Sequence, residues 1–423
     1  MSSGLRSAGE LQESPPDDPP EAPESTTHLD ADRIATALAK PQTGPRILFL
    51  SGGSALRELS RVLPRYTHNS THLITPFDSG GSSASLRQAF GMLSVGDLRN
   101  RLLALADDGS PEASAAVQCF GHRFNASSEP RGGVNELHAL IAGSDPRISS
   151  LTDAQQSFGR ETLACFAERM PADFDLRGAS VGNLVLTGGY LPDRDIRGAL
   201  TRFGEVLRVR GNVLPTCEDN LHLAARLADG ATVVGQHRLT GKQHPPLTSP
   251  IAEIRLVANL DGGPSLRPPG STAATDRIRE AELICLPMGS FYSSIVCNLL
   301  PSGIGRAFAE TSCPKIYVPS IGHDPEVAGI DPAQATARLL AVLRNDCGEA
   351  TPAEHLINRV LLDPRPDVYA TAPDLSLLDR LGVEHSEIPL VNPSRPSRVD
   401  ARCLAEALVS LAREHNRPRK EET

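Results

Sequence analysis

Tryptophan is absent from the 423 residues, and aromatic residues make up only 4% of them. That scarcity excludes the stacking platforms on which proteins hold single-stranded nucleic acid, and it leaves Leu, Ala, Val and Ile to build the core. No C-x-x-C pair occurs among the eight cysteines (Cys119, Cys165, Cys217, Cys285, Cys297, Cys313, Cys347, Cys403). The scatter argues for reduced thiols in the cytosol rather than a disulfide framework, and it leaves zinc without a motif. No apolar run approaches the roughly 18 residues of a membrane span, and the first residues lack the basic-then-apolar pattern of a signal segment. A basic surplus is missing too. The net charge is −9, and residues 1–30 hold seven acids against one base, so the rest of the chain is near neutral. A nucleic-acid binder needs a phosphate-neutralising face that this balance does not supply. These absences predict a soluble cytoplasmic protein that engages neither nucleic acid nor membrane.

What is present suits a globular enzyme or binding domain. Roughly 46% of the residues are apolar when Gly is counted, inside the range of proteins with a sizeable core. Residues 1–28 are acidic and Pro-rich, with too little apolar surface to offset ordering entropy, and read as a disordered tail. Residues 29–44 read as a helix and linker, 45–415 as one α/β domain, and 416–423 as a charged tail. Apolar strand patterns at 46–50, 72–77, 206–214, 252–259, 282–287, 315–319 and 357–362 are interleaved with helical patterns at 84–92, 153–170, 192–208, 334–345 and 401–415. Such alternation predicts a doubly wound, Rossmann-like, mostly parallel sheet with helices on both faces. An Asp-Gly turn inside 221–259 predicts a β-hairpin, part of an antiparallel excursion over about 215–260.

Two glycine-rich turns follow two successive strands, and both are expected to open on one crevice beyond the carboxyl edge of the sheet. The first is Ser51-Gly52-Gly53-Ser54-Ala55, where glycines let backbone N–H groups approach a phosphate at a helix start. The second is Asp78-Ser79-Gly80-Gly81-Ser82-Ser83, with an Asp placed to hold a divalent cation or to orient a hydroxyl, and with donors for phosphate oxygens. Ahead of another helix, Asp97 is either its cap or a second carboxylate beside Asp78, Arg99 is a candidate phosphate partner, and Asn100 completes that segment. Asn183 stands in an apolar helix start, as a cap or a ligand reader. Gly289 and Ser290 follow the strand at 282–287 and offer a third phosphate or sugar contact. His323 and Asp324, after the strand at 315–319, either line the crevice or serve the loop. The chain lacks a Walker lysine, a G-x-S-x-G elbow and an H-E-x-x-H pair. The glycine spacing also departs from the G-x-G-x-x-G of dinucleotide binding, so NAD is not expected.

Taken in order, FLSGGSALRELSRVLPRYT (49–67), ITPFDSGGSSASLRQAFGMLSVGDLRNRLLALAD (74–107), GNLVLTG (182–188), NVLPTCEDNLHLAARLADGATVVGQ (212–236) and RIREAELICLPMGSFYSSIVCNLLPSGIGRA (277–307) resemble the CofD/YvcK superfamily. The resemblance spans about residues 45–415, and D-x-G-G-S-S-x-x-L-R and G-D-x-R-N are its specific segments. It implies a nucleoside-diphosphate pocket at the strand ends. In the 2-phospho-L-lactate transferase branch, a phospholactyl group passes from a GDP-linked donor to an acceptor hydroxyl with Mg²⁺. The YvcK branch binds UDP-sugars and regulates carbon metabolism. A chain of this length with an acidic leader also resembles the CofD-related proteins of the GAK system. Carried over residue by residue, the resemblance makes Asp78 and Asp97 the catalytic and Mg²⁺-holding pair. It assigns ligand binding to Gly80, Gly81, Asn100, Asn183, Asp219, Gly289 and Ser290, to which the chemistry of the turns and of the next helix start adds Gly52, Gly53, Ser54, Ser82, Ser83 and Arg99. It also implies a homodimer. The chain departs from the pattern at Ser51 and Ala55 in the first turn, at Ser79 in place of a second acid, and at Pro287 in place of a glycine.

Overall fold

The computed structural model describes residues 28–412 apart from 108, 128–129, 241–246, 248 and 393; the two tails expected at 1–28 and 416–423 lie outside the described residues but for His28. The first strand, β1 (Ile47–Ser51), is buried along its whole length, as a near-continuous apolar run in a parallel sheet must be. Parallel neighbours extend the sheet on both sides: β2 (Thr71–Ile74) and β3 (Asn212–Pro215) on one, β7 (Leu283–Leu286), β8 (Lys315–Tyr317), β9 (Arg359–Leu362) and β10 (Glu384–Glu387) on the other. The order β10-β9-β8-β7-β1-β2-β3 places the switch in chain direction between β1 and β7.

Alternating side chains of β1 divide the core. Ile47 and Phe49 pack with α1 (Ala31–Ala39), α2 (Arg57–Val62) and α16 (Ala401–Leu411). Leu48 and Leu50 face α12 (Thr272–Glu280), α13 (Ile304–Glu310) and α14 (Pro332–Cys347). The small helix α15 (Leu375–Leu381) precedes β10, and a two-stranded pair, β11 (Val391–Asn392) and β12 (Arg395–Val399), leads into α16.

The alternation expected from sequence breaks between β2 and β3. There the chain forms a helical body of α3 (Gly81–Phe90), α4 (Gly96–Leu105), α5 (Pro111–Gly121), α6 (Pro130–Ala142), α7 (Pro146–Ser149), α8 (Asp153–Arg169), α9 (Val181–Tyr190) and α10 (Ile196–Val206). Seven of the eleven phenylalanines of the chain lie in it, with edge-on pairs such as Phe120–Phe203 at 5.2 Å. The core is therefore less aliphatic here than the overall composition suggests. The strand pattern at 206–214 is also corrected: α10 runs to Val206, and only Asn212–Pro215 pair in the sheet.

The antiparallel excursion is present as β4 (His222–Leu227), β5 (Thr232–Val234) and β6 (Ile251–Val257), in the order β5-β4-β6, with the one-turn helix α11 (Gln236–Leu239) after β5. Asp229-Gly230 sit in the β4–β5 turn, as the sequence predicts. No helix among the described residues is long and apolar enough to cross a membrane, and none of the eight cysteines is paired.

Candidate functional site

Both glycine turns open on one crevice of about 260 Å³ at the carboxyl edge of β1, β2 and β7. Its walls include Gly52, Gly53, Ser54, Asp78, Gly80, Gly81, Ser82, Ser83, Asp97, Arg99, Asn100, Asn183, Gly289 and Ser290. Among the carried-over positions, Asp219 alone stands apart. It is exposed and lines no part of the crevice; the next residue, Asn220, turns inward instead, where its Oδ1 accepts from Arg87 Nε at 3.0 Å.

Each turn is braced from beneath by a buried arginine: Arg101 under the first, and under the second Arg87, the last residue of the D-x-G-G-S-S-x-x-L-R segment. Arg101, on α4, donates to the carbonyls of Leu56 (3.0 Å) and Gly52 (2.8 Å), to Ser51 Oγ (3.2 Å) and to Ser60 Oγ. Arg87, on α3, donates to the carbonyls of Phe77 (3.2 Å), Asp78 (3.0 Å) and Leu221 (2.5 Å). Burial pushes both guanidinium groups down to about 10, so both stay charged at neutral pH. The carbonyls they occupy are turned away from the crevice.

Helix starts supply much of the cradle. Among the described residues, nine α-helices carry a side-chain N-cap, at Asp30, Ser110, Asp145, Thr152, Asp195, Ser271, Asp331, Asp374 and Asp400. By contrast α2, α3, α4, α9, α11 and α13 begin without one; of these, α3, α4, α9 and α11 place first-turn residues in the crevice and α2 places Leu56, the residue before its first turn, there. Uncapped starts carry partial positive charge and suit an anion. The expected turn at 78–83 is in fact the entry to α3, whose first residue, Gly81, has a left-handed φ of +50°. Asp97 is not the cap of α4, which starts at Gly96 after Val95. Its carboxylate lies against Gly53, where a Cβ would overlap Oδ1.

Arg99 is buried, and its Nε donates to Asn183 Oδ1 at 3.0 Å. Asn183 in turn donates through Nδ2 to Ser82 Oγ at 3.0 Å. Asn183 is therefore a bridge between α4, α9 and the second turn, rather than a helix cap. Burial, then the neighbouring Arg123, pushes the Arg99 guanidinium down to about 10. Arg123 also lines the crevice and donates to the Gly178 carbonyl at 3.0 Å. Two cations thus face the glycine turns. The opposite wall comes from the antiparallel excursion, through Gln236, His237 and Thr240. His237 Nδ1 and Ser79 Oγ share a hydrogen bond of 2.7 Å.

Asp324 serves structure instead of the crevice. With Glu326 it caps the irregular helical turn Phe291–Ile295: Asp324 Oδ2 accepts from Phe291 N (2.9 Å), and Glu326 Oε2 from Tyr292 N (2.8 Å) and Ser293 N (2.9 Å). Burial, then Asp324, pushes the Glu326 carboxyl up to about 7.

Asp78 and Asp97 are the two crevice carboxylates. No group of three or more His, Cys, Asp or Glu fit to hold a metal occurs among the described residues. The donor set therefore fits a divalent cation that arrives with phosphate oxygens, which takes one or two carboxylates, and does not fit a metal held by protein alone.

The family described as 2-phospho-L-lactate transferase CofD matches residues 47–383. A relative from Nostoc sp. is 31% identical over 306 residues, covering 72% of this chain and 53% of its own length; the chain thus spans about half of that protein. Proteins named gluconeogenesis factor from Bacillus subtilis and Listeria monocytogenes are 28% and 27% identical, over 66% and 67% of this chain and 69% and 68% of theirs. A crystal structure of a upf0052 family member from Bacillus halodurans shares the fold, with a TM-score of 0.63, 23% identity and coverage of 87% of this chain and 99% of that one.

Proposed function

This chain belongs to the 2-phospho-L-lactate transferase CofD family, and from that premise we propose that its crevice binds a nucleoside-diphosphate-linked ligand and transfers a phosphate-linked group to an acceptor hydroxyl, whose oxygen displaces the nucleoside monophosphate at phosphorus while its proton passes to solvent. The observation that carries the reading is the convergence of five uncapped helix starts, two glycine turns and Arg99 with Arg123 on one crevice. That combination suits a doubly charged diphosphate better than a neutral ligand.

In this reading the amides around Gly52, Gly53, Gly81 and Gly96 orient the diphosphate, and Arg99 neutralises it. Asp78 and Asp97 would hold Mg²⁺ brought in with the phosphates, and a bound divalent cation supplies further neutralisation of the charge that builds on phosphorus. Catalysis then comes from positioning and electrostatics, with no covalent enzyme intermediate. A second reading, binding of a UDP-sugar as a regulatory effector without transfer, is favoured by two observations: the second acid of the YvcK pattern is Ser79, and close relatives carry the name gluconeogenesis factor.

A thermal-shift panel of GDP- and UDP-linked ligands with and without Mg²⁺ separates the two. A ligand at ~100 times its Kd stabilises by about 2.7 kcal/mol. A shift with a GDP-linked ligand that requires Mg²⁺ supports transfer; a shift with UDP-sugars that persists in chelator supports the effector reading. No shift with any ligand overturns both.

A further inference from the structure

The wall of the crevice that faces the glycine turns contains a side chain with one half of its amide satisfied. Gln236 opens α11, lines the crevice and is 6% exposed. Its Nε2 donates to the Ser293 carbonyl at 2.9 Å, which fixes the orientation of the amide, because the flipped group would set two acceptors against each other. The remaining atom, Oε1, is buried and has no hydrogen-bond partner among the described residues. A buried acceptor left without a donor is costly, and native proteins keep few of them.

A phosphate cannot satisfy this atom, since ionised phosphate oxygens only accept. Its partner is an N–H or O–H group, which a phosphate-bearing ligand can supply only from its non-phosphate part. The position is also held firmly. The adjacent His237 shares its 2.7 Å hydrogen bond with Ser79, next to the second glycine turn, so α11 is fastened to the rim of the phosphate cradle.

We propose that Gln236 is a specificity-determining residue, whose Oε1 accepts a hydrogen bond from an N–H or O–H donor on the base or sugar of the bound nucleotide. The inference rests on the nucleoside-diphosphate reading and deepens it. Ligand choice is then made by the antiparallel excursion, while charge is handled by the parallel sheet and the helical body.

Calorimetric titration of the full chain with UDP, GDP, UDP-glucose and inorganic pyrophosphate tests this, on wild type and on Gln236→Met. Methionine keeps the length of the side chain and removes the acceptor, together with the Nε2 donor to the Ser293 carbonyl. At least one nucleotide ligand is expected to bind about tenfold more weakly to the variant, with pyrophosphate unchanged. A loss that includes UDP or GDP assigns the donor to the nucleoside; a loss confined to UDP-glucose assigns it to the sugar. Equal affinities for every ligand overturn the proposal, as does a loss that pyrophosphate shares. Wild-type protein that binds none of the four removes the nucleoside-diphosphate reading itself. If Gln236→Met does not fold, Gln236→Leu lacks the acceptor equally and carries the same expectations.

Discussion

A side chain at Gly53 fits only if the Asp97 carboxylate moves, because that carboxylate occupies the space that a Cβ would need. Gly53→Ala should therefore push Asp97 out of place, at a cost of about 1–3 kcal/mol in stability and with loss of nucleotide binding. Chemical denaturation and calorimetry measure the two effects, and a variant that binds like wild type would contradict the placement of the diphosphate. Arg99 is the second residue whose removal should be decisive. In the proposed function Arg99→Met deletes a charge-assisted contact to phosphate, for which about 1.5–3 kcal/mol, or roughly ten- to a hundredfold in Kd, is expected. Pyrophosphate should show the same loss as a nucleotide, the reverse of the expectation for Gln236. At this scale the sequence was legible where a residue's chemistry is local. Gly52, Gly53, Gly80, Gly81, Asp78 and Asp97 stand in short motifs and meet in the crevice. Arg123, Gln236 and His237 were not legible, since nothing near them in the chain marks them. Asp219 stands outside the crevice, while the neighbouring Asn220 takes the inward position.

Among the elements, α4 does two tasks. Its start lines the crevice, and one turn further on Arg101 ties the helix to the carbonyls of Leu56 and Gly52. Arg101→Met would take the guanidinium donor from the Gly52 carbonyl and a neighbouring positive charge from Asp97, so a destabilisation of roughly 3–5 kcal/mol is expected in urea unfolding. A change below 1 kcal/mol would show that the brace is dispensable. The turn Phe291–Ile295 depends on a different device, the Glu326 carboxyl, which titrates at about 7 when folded against an ordinary value of 4.5. The folded state thus holds this proton more tightly than the unfolded chain. Its contribution to stability is full below about 4.5 and is lost as pH rises through about 7. Glu326→Gln, which stays neutral, should gain on wild type between pH 5 and pH 8 by on the order of 2–3 kcal/mol. Parallel pH profiles of the two proteins would refute the assignment. The helix starts themselves explain an error of reading. The pattern at 84–92 marks the apolar face of α3, but Gly81, Ser82 and Ser83 already belong to its first turn; apolar periodicity says nothing about where a polar, uncapped end begins.

For the whole molecule, the crevice is where three bodies meet: the parallel sheet, the helical body through Arg99, Arg123 and Asn183, and the antiparallel excursion through Gln236 and His237. A bound nucleotide should protect amides of β1, α9 and β4–β5 from hydrogen exchange together, and protection confined to the two glycine turns would argue against a shared site. The α/β class and the sheet strands were readable from apolar runs such as Ile47–Leu50 and Leu283–Leu286, because a parallel strand is buried on both faces. The eight-helix body between β2 and β3 was only partly readable. Helices such as α9 are buried on every side, and a helix buried all round has no contrasting face for a pattern to reveal. The excursion has a consequence of its own. Because the excursion supplies Gln236 and His237 to the crevice while the sheet and the helical body supply the glycine turns and Arg99, residues 236 and 237 can change without replacing the groups proposed to grip phosphate. Descendants of one ancestor could in that way come to accept different nucleotides while inheriting an unaltered anchor, so that recognition and grip evolve on separate clocks.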